Sequence, residues 1–167
     1  MTGHRTLLLM RHAKSDYPPG VADHERPLAP RGIRQAGLAG DWLRAHAPTV
    51  ERVLCSTATR TRETLLNTRI EAPVRYSERL YATTPGTMID EITTVDDDVG
   101  TLLVIGHEPT MSALALGLGA APDTNNTAAE RISAKFPTSA IAVLTVPCAW
   151  KELELGTATL IDFEVPR

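Results

Sequence analysis

The chain has 167 residues and a mass of 18.1 kDa, and 43% of its residues are hydrophobic and 22% are charged. This balance excludes a disordered chain, which would hold far fewer apolar residues, and the length predicts one globular domain over residues 1–167. The formal net charge of -3 and a pI near 5.9 argue against nucleic acid as a partner, because dedicated nucleic-acid binders normally carry a basic balance.

The charge is unevenly distributed along the chain. Residues 1–79 carry 13 Lys and Arg against 8 Asp and Glu, whereas residues 80–130 carry no Lys or Arg against 8 acidic residues. The last segment, residues 131–167, is balanced at 4 against 4. Any site for an anion must therefore draw its arginines mainly from the first half of the chain.

Cysteine content and hydropathy predict where the protein resides. Cys55 and Cys148 are too few to indicate the disulfide framework of a secreted domain. The apolar run from Leu7 to Met10 is shorter than a signal-peptide core, and no stretch reaches the roughly 18 apolar residues of a membrane span. We therefore expect a cytoplasmic protein without membrane association. Its length is sufficient for folding without a disulfide or a metal.

Short apolar runs alternate along the chain with longer amphipathic segments. The runs rich in Leu, Val and Ile predict buried strands over Thr6 to Met10, Arg52 to Cys55, Thr101 to Ile105 and Ala140 to Val146. The segments between them predict helices over Arg31 to His46, Thr57 to Ile70 and Pro109 to Leu118. This alternation predicts an α/β fold with three layers, α/β/α, around a mostly parallel central sheet.

Two segments depart from this alternation. Lys151 to Ile161 comes after the run at Ala140 to Val146 and a short connection, which predicts an antiparallel pair at an edge of the sheet. Asp16 to Pro30 contains four prolines and is incompatible with a regular element. A long loop directly after a buried strand is typical of a lid or a substrate loop.

The residues at the ends of three of the predicted strands share one kind of chemistry. They are Arg11 and His12 after the first run, Arg60 behind the second, and His107 after the third. Because ligands collect at the carboxyl ends of parallel strands, we expect these two imidazoles and two guanidiniums to share one rim. Guanidinium forks bind phosphoryl oxygens and a neutral imidazole attacks phosphorus, so the pattern indicates a phosphoryl-binding site.

Each of these residues also has a purely structural interpretation. A single histidine at a strand end is more often a hydrogen-bonded structural residue, and an ion pair with Glu63 would account for Arg60. The coincidence at three strand ends favours the functional interpretation. The other histidines are expected at the surface, with the one in the long loop a candidate exception; they are His4, His24 and His46.

Four motifs in chain order carry a family resemblance. They read Leu-Leu-Leu-Met-Arg-His-Ala-Lys-Ser at residues 7–15, Asp-His-Glu-Arg-Pro-Leu at residues 23–28, Ser-Thr-Ala-Thr-Arg-Thr-Arg-Glu-Thr at residues 56–64 and Gly-His-Glu-Pro-Thr at residues 106–110. With these motifs the sequence resembles the histidine phosphatase superfamily, and within it is most similar to the SixA-type phosphohistidine phosphatases. The resemblance implies the phosphoglycerate-mutase-like fold.

The resemblance also implies a role for each matching residue. His12 matches the family's nucleophile, which takes the phosphoryl group and forms a phosphohistidine intermediate that water then hydrolyses. Arg11, Arg60 and His107 match the groups that hold the phosphoryl oxygens and stabilise charge in the transition state. We expect the two guanidiniums to lower the pKa of His12 and so keep it neutral and nucleophilic.

Two features of the chain bear on the substrate: the residues just after the nucleophile and the place where a catalytic acid is expected. Lys14 and Ser15 come just after the nucleophile and are candidate substrate-binding residues. Family members that hydrolyse alkyl phosphates usually carry a glutamate that protonates the leaving oxygen, and Ala82 stands near that place here. The carboxylates that remain as candidate substitutes are Asp16, Glu78, Asp90 and Glu108. A missing acid matters least for a phosphoramidate, because solvent can protonate its leaving imidazole.

We therefore expect a phosphatase that removes the phosphoryl group from phosphohistidine of a protein, with a His-containing phosphotransfer protein as the candidate partner. Two alternatives stay open. One is a broad-specificity phosphomonoesterase of the same family that acts on small molecules or nucleotides. The other is a phosphate-binding domain without turnover.

Two further enzyme classes fit the spacing poorly. A cysteine-dependent phosphatase built on Cys55 needs an arginine at the position that Thr61 occupies. A helical zinc motif that starts at His107 needs a second histidine where Met111 stands. We therefore expect neither a metal nor a cofactor.

Overall fold

The computed structural model describes residues 4–120 and 122–167. In this part of the chain the strands are β1 (Arg5–Arg11), β2 (Arg52–Ser56), β3 (Val74–Ser77), β4 (Thr101–Gly106), β5 (Ile141–Val146) and β6 (Thr159–Glu164). The α-helices are α1 (Pro30–His46), α2 (Thr59–Thr68), α3 (Pro85–Ile92), α4 (Thr110–Leu118) and α5 (Asn126–Ala134). Among the described residues, no helix has the length and apolar content of a membrane span.

All six strands form one sheet in the order β3-β2-β4-β1-β5-β6. The strands β1, β2, β3 and β4 run parallel to one another, whereas β5 runs antiparallel to both β1 and β6. The predicted mostly parallel sheet with an antiparallel edge is confirmed.

The central strand β1 is apolar throughout its middle because both of its faces are covered. Leu7 and Leu9 pack into one core cluster with residues of α3, α4 and α5, and Leu8 and Met10 pack into a second cluster with residues of α1 and α2. All four side chains are fully buried. Alternate residues of a strand point to opposite faces, so this double burial produces the predicted three-layer α/β/α arrangement.

Three elements lie where the sequence pattern predicts none. The edge strand β3 is only partly buried and therefore lacks a continuous apolar run. The helices α3 and α5 are short and bury two side chains each, which are Met88 and Ile92 in α3 and Ala128 and Ile132 in α5. Two buried positions are too few to produce a recognisable helical period.

The prediction of a strand over Lys151 to Ile161 is wrong in its extent. Trp150–Glu152 forms a 3-10 turn, and β6 starts only after it, although β6 does pair antiparallel with β5 as predicted. The Trp150 side chain is fully buried, and its indole Nε1 donates a hydrogen bond to the Val99 main-chain oxygen at 2.7 Å. Its burial and this hydrogen bond hold the segment in a turn, so the segment does not continue as a strand.

The helix α2 is shorter at both ends than the predicted segment Thr57 to Ile70. Ala58 is its N-cap, and no side chain forms a capping hydrogen bond there. Arg69 adopts a left-handed conformation with φ of 59°, which ends the helix.

The carboxyl ends of β1, β2 and β4 lie side by side at one edge of the sheet. The loop that joins β1 to α1 passes along this edge. As predicted it is largely irregular, with a 3-10 turn over Asp23–Glu25 and a bridge between Ser15 and Leu28. This edge is where a ligand is expected to bind in an open α/β sheet.

Candidate active site

Three strand ends bring histidine and arginine side chains to the same edge of the sheet. Arg11 ends β1 and pairs in register with Gly106, which ends β4. The His12 main-chain N–H donates to the Gly106 oxygen at 3.1 Å, so His12 and His107 lie at the ends of neighbouring strands, and their ring centroids are 5.3 Å apart. Arg60 enters from the first turn of α2, directly behind β2.

These side chains line a cavity of about 210 Å³. All six candidate residues from the sequence lie on its wall: Arg11, His12, Lys14, Ser15, Arg60 and His107. The other described residues on the wall are Tyr17, Arg26, Glu108 and Thr138. Among these described residues, four cationic side chains stand against one carboxylate, which suits a small anion such as a phosphoryl group.

The His12 ring is held in one protonation state by its surroundings. It is 7% exposed, and Nδ1 lies 2.7 Å from the Ala13 main-chain oxygen. A carbonyl oxygen only accepts hydrogen bonds, so Nδ1 carries the proton and Nε2 keeps its lone pair. Burial lowers the pKa of His12 to about 3, and the nearby His107, Arg60 and Arg11 contribute in the same direction. The expected direction is right, but burial and not the guanidiniums is the main cause.

The second imidazole, His107, is anchored through a serine of β2. Its Nε2 lies 2.8 Å from the Ser56 hydroxyl, whereas its buried Nδ1 has no hydrogen-bond partner among the described residues. Burial lowers the pKa of His107 to about 4, and the Arg60 guanidinium contributes in the same direction. Both imidazoles are therefore neutral at neutral pH.

Arg11 is fixed to the main chain and keeps donors free. Its Nη1 donates to the Phe136 oxygen at 3.0 Å, and its buried Nε has no partner among the residues that the structure describes. Burial lowers the pKa of the Arg11 guanidinium. Arg11 can therefore donate hydrogen bonds to a phosphoryl oxygen without giving up its anchor.

Arg60 is oriented by the loop after β1. The alternative prediction of an ion pair between Arg60 and Glu63 is wrong. Its Nη1 donates to the Asp23 main-chain oxygen at 2.7 Å, and its Nη2 lies 3.1 Å from the Asp23 carboxylate. Glu63 instead accepts a hydrogen bond from the Leu28 main-chain N–H at 2.7 Å, which ties the loop to α2. The loop and α2 thus hold each other, and Arg60 lies between them.

Asp23 is a site residue that sequence reasoning missed. Its carboxylate also pairs with Arg26 at 2.9 Å and accepts a hydrogen bond from the Tyr81 hydroxyl. The Tyr81 ring in turn lies edge-on to His107, with ring centroids 5.4 Å apart. Asp23 and Tyr81 are separated by a long stretch of chain and no spacing rule joins them. The only available signal was that residues 23–28 form one of the family motifs.

The remaining candidates differ in burial and in the contacts that they make. Ser15 is buried and its hydroxyl accepts a hydrogen bond from Arg26, while Lys14 is half-buried. His24 is the exception that its loop position suggested, because its Nε2 lies 2.9 Å from the Thr57 hydroxyl beside the site. His4 and His46 are exposed, as expected.

Among the four carboxylates proposed as substitute acids, all of which the structure describes, Glu108 alone lines the cavity. Its Oε1 accepts from the Ser112 main-chain N–H at 2.7 Å and its Oε2 accepts from the Ser112 hydroxyl at 2.8 Å. Both oxygens thus act as acceptors, which disfavours Glu108 as a proton donor to a leaving group.

Cys55 is not placed to act as a nucleophile. Cys55 is fully buried within β2, and burial raises the pKa of its thiol to about 12, so it remains protonated. In the part of the chain that the structure describes, no group of three or more His, Cys, Asp or Glu side chains is placed to hold a metal ion.

Comparison with known proteins assigns the chain to a family. A model of the histidine phosphatase superfamily (branch 1) matches residues 7–98. The chain is 64% identical over 158 residues to the uncharacterized protein Rv1276c of Mycobacterium tuberculosis, and the match covers 95% of this chain and 100% of that protein.

Two solved structures are similar along almost the whole chain. One is the proposed phosphohistidine phosphatase SixA of Nakamurella multipartitia, at 40% identity and a TM-score of 0.90 over 98% of this chain and 97% of that one. The other is the corresponding proposed SixA of Agrobacterium tumefaciens, at 26% identity and a TM-score of 0.80 over 97% of this chain and 98% of that one. The chain belongs to the histidine phosphatase superfamily and has its phosphoglycerate-mutase-like fold.

Proposed function

We propose that the protein is a phosphatase that removes the phosphoryl group from phosphohistidine of a protein, through a covalent phosphoryl group on His12. The observation that carries this proposal is the state of the His12 ring. Its Nδ1 is bound to the Ala13 oxygen at 2.7 Å, and burial keeps it neutral, so Nε2 is an available nucleophile in a cavity lined by cations.

The first step transfers the phosphoryl group to the enzyme. The Nε2 lone pair of His12 attacks phosphorus and a new N–P bond forms, while the N–P bond of the substrate breaks. The bonding electrons stay on the leaving imidazole. That ring carries a proton from solvent on its other nitrogen, so it departs as a neutral imidazole.

The second step regenerates the free enzyme. A water oxygen attacks the phosphorus, the bond to His12 breaks, and inorganic phosphate leaves with the protons of the water. Arg11, Arg60 and His107 hold the phosphoryl oxygens in both steps, because charge spreads over these oxygens in the transition state. Lys14 and Ser15 contact the substrate beyond the phosphoryl group.

The absence of a free carboxylic acid among the described residues of the cavity wall supports a P–N substrate. An alkyl alcohol is a poor leaving group and needs a proton donor, whereas a protonated imidazole does not. Glu108 lines the cavity, but both of its oxygens already accept hydrogen bonds from Ser112. The similarity to two proposed SixA phosphatases agrees with this substrate class.

A substrate panel tests the proposal. We expect the wild-type protein to hydrolyse a phosphohistidine peptide much faster than an alkyl phosphomonoester or a nucleotide. His12→Ala should lose at least about a thousandfold in kcat, because the nucleophile is gone. His46→Ala is the matched control, since that histidine is exposed on α1, and it should keep the wild-type rate. Cleavage of alkyl phosphates as fast as the phosphohistidine peptide would contradict the P–N assignment.

A further inference from the structure

Three arginines surround a second hollow beside the candidate active site. Arg31 and Arg34 project from the first turns of α1, and Arg167 lies against them from the end of the chain. With Gln35 and Leu38 they line a hollow of about 310 Å³. We call Arg31, Arg34 and Arg167 the arginine patch.

The positive charge of the arginine patch is not neutralised within the described part of the chain. None of the three guanidiniums lies within 4.0 Å of a carboxylate of the residues that the structure describes. By contrast, Arg44 on the same helix pairs with Asp41 at 2.9 Å. Burial and the repulsion from Arg31 both lower the pKa of Arg167. Like charges that approach one another without a counter-ion are typical of a surface that binds an anion.

The arginine patch adjoins the cavity of His12 directly. The Gln35 Oε1 atom accepts hydrogen bonds from the Lys14 main-chain N–H and from the Thr138 hydroxyl, each at 3.0 Å. Lys14 and Thr138 line the cavity, and Gln35 lines the hollow, so one hydrogen-bonded wall separates the two. Arg167 is fixed to the same wall, because its Nη1 donates to the Thr138 oxygen at 3.2 Å.

The composition of this surface favours a protein partner. Leu38 is 42% exposed within the hollow, so an apolar contact lies among the guanidiniums, and arginine is enriched in protein interfaces. None of the described residues that line the hollow is aromatic, which leaves no stacking platform for a nucleic acid.

We propose that the arginine patch docks acidic side chains next to the phosphohistidine of the protein substrate. This inference rests on the proposed function, and it adds a substrate preference that the chemistry at His12 does not require. The patch then acts as a recognition site for Asp and Glu, while the cavity takes the phosphoryl group.

Two synthetic phosphohistidine peptides test this inference, one with glutamates flanking the phosphohistidine and one with glutamines. We expect the wild-type kcat/KM to be about tenfold higher for the glutamate peptide at low ionic strength, and the ratio to shrink at about 0.5 M salt. In the Arg31→Ala, Arg34→Ala double variant the ratio should fall close to one, with the rate on the glutamine peptide unchanged. Both side chains are exposed and form no side-chain hydrogen bonds with described residues, so folding should be preserved.

The matched control is the Arg69→Ala, Lys151→Ala double variant, which removes the same charge from exposed positions outside the patch. It should keep the wild-type ratio. Equal rates on both peptides in the wild-type protein, or an equal loss in both double variants, would overturn the inference while leaving the proposed function intact. Hydrolysis of neither peptide would overturn the proposed function itself. Single-stranded RNA is tested as a competitor of peptide hydrolysis. If RNA inhibits the wild-type protein but not the Arg31→Ala, Arg34→Ala variant, and both proteins show the same peptide ratio, the patch binds nucleic acid and the inference is overturned.

Discussion

Asp23 determines how Arg60 is presented to the cavity. It contacts Arg60 through its main-chain oxygen and its carboxylate, and it also contacts Arg26 and the Tyr81 hydroxyl. These hydrogen bonds hold the pKa of Asp23 well below its usual range, with the Tyr81 bond as the largest cause. An ionised Asp23 therefore fixes Arg60 throughout the neutral pH range.

We expect Asp23→Asn to lower kcat/KM for a phosphohistidine peptide by about tenfold. The main-chain oxygen of residue 23 still accepts from Arg60, but the neutral side-chain amide no longer holds the Arg60 guanidinium in place. Steady-state kinetics on the peptide measure this effect. Asp41→Asn is the control, since Asp41 pairs with Arg44 on the exposed side of α1 and its variant should stay near the wild-type rate. A faster Asp23→Asn enzyme would mean instead that the carboxylate competes with the substrate for Arg60.

The residues at strand ends could be identified from the sequence, whereas the residues that orient them could not. His12 and His107 come directly after short apolar runs, and the topology of an open sheet brings such positions together. Asp23 and Tyr81 lie in irregular segments, where no periodicity links sequence position to place in space. Burial of His12, the main cause of its lowered pKa, also depends on packing that the sequence does not display.

The close contact between α1 and the loop after β1 requires a glycine in the helix. Gly32 lies so close to that loop that a Cβ atom would overlap the Lys14 main-chain oxygen. Gly37, further along α1, has open space, with the Asn67 main-chain oxygen the nearest atom at 3.9 Å. The contact with the loop therefore requires a glycine at position 32, whereas position 37 has room for a side chain.

We expect Gly32→Ala to lower the free energy of unfolding by about 1–3 kcal/mol, because helix and loop must move apart. Gly37→Ala should raise it by up to about 1 kcal/mol, because alanine favours the helix and nothing is displaced. Urea unfolding of both variants measures the difference. Equal stability of the two variants would contradict the close contact between Gly32 and the Lys14 main-chain oxygen.

Among the strands, those covered on both faces were the ones that the sequence could predict best. The strands β1, β2 and β4 are buried on both sides and therefore read as apolar runs. The edge strand β3 and the short helices α3 and α5 bury few side chains, so their patterns are weak. The extent of the strand after β5 could not be predicted because a single buried side chain, Trp150, determines the turn there. One buried residue produces no periodic hydrophobic pattern.

At the scale of the whole molecule, local charge and net charge have opposite signs. The formal net charge is -3, yet the described wall of the cavity carries four cationic side chains and one carboxylate. The excess of arginine in residues 1–79 supplies this cavity and, with Arg167, the arginine patch. The distribution of charge along the sequence was therefore more informative than its sum.

The buried histidines make stability depend on pH. The pKa is lowered to about 3 for His12 and to about 4 for His107, whereas a histidine in the unfolded chain has a pKa of about 6.5. Below about pH 6.5 the unfolded chain binds protons that the folded chain does not, so the free energy of unfolding falls as pH falls. Each histidine contributes a slope of up to about 1.4 kcal/mol per pH unit until its folded pKa is reached.

We expect the wild-type free energy of unfolding to fall between about pH 6.5 and about pH 5, and His107→Asn to show a slope shallower by about 1 kcal/mol per pH unit. Urea unfolding in phosphate-free buffer measures both slopes. His46→Asn removes an exposed histidine and should keep the wild-type slope. Identical slopes in the wild-type and His107→Asn proteins would contradict the burial of a neutral imidazole at that position.

The most direct measurement is rapid-quench trapping of the enzyme during turnover of a radiolabelled phosphohistidine peptide, followed by mass spectrometry of the quenched protein. We expect a labelled phosphoryl group on His12 that forms and decays at rates compatible with turnover. The label should be absent in His12→Ala and present in His46→Ala. Turnover without a covalent phosphoryl group, or a phosphoryl group on a residue other than His12, would contradict the assignment of His12 as the nucleophile.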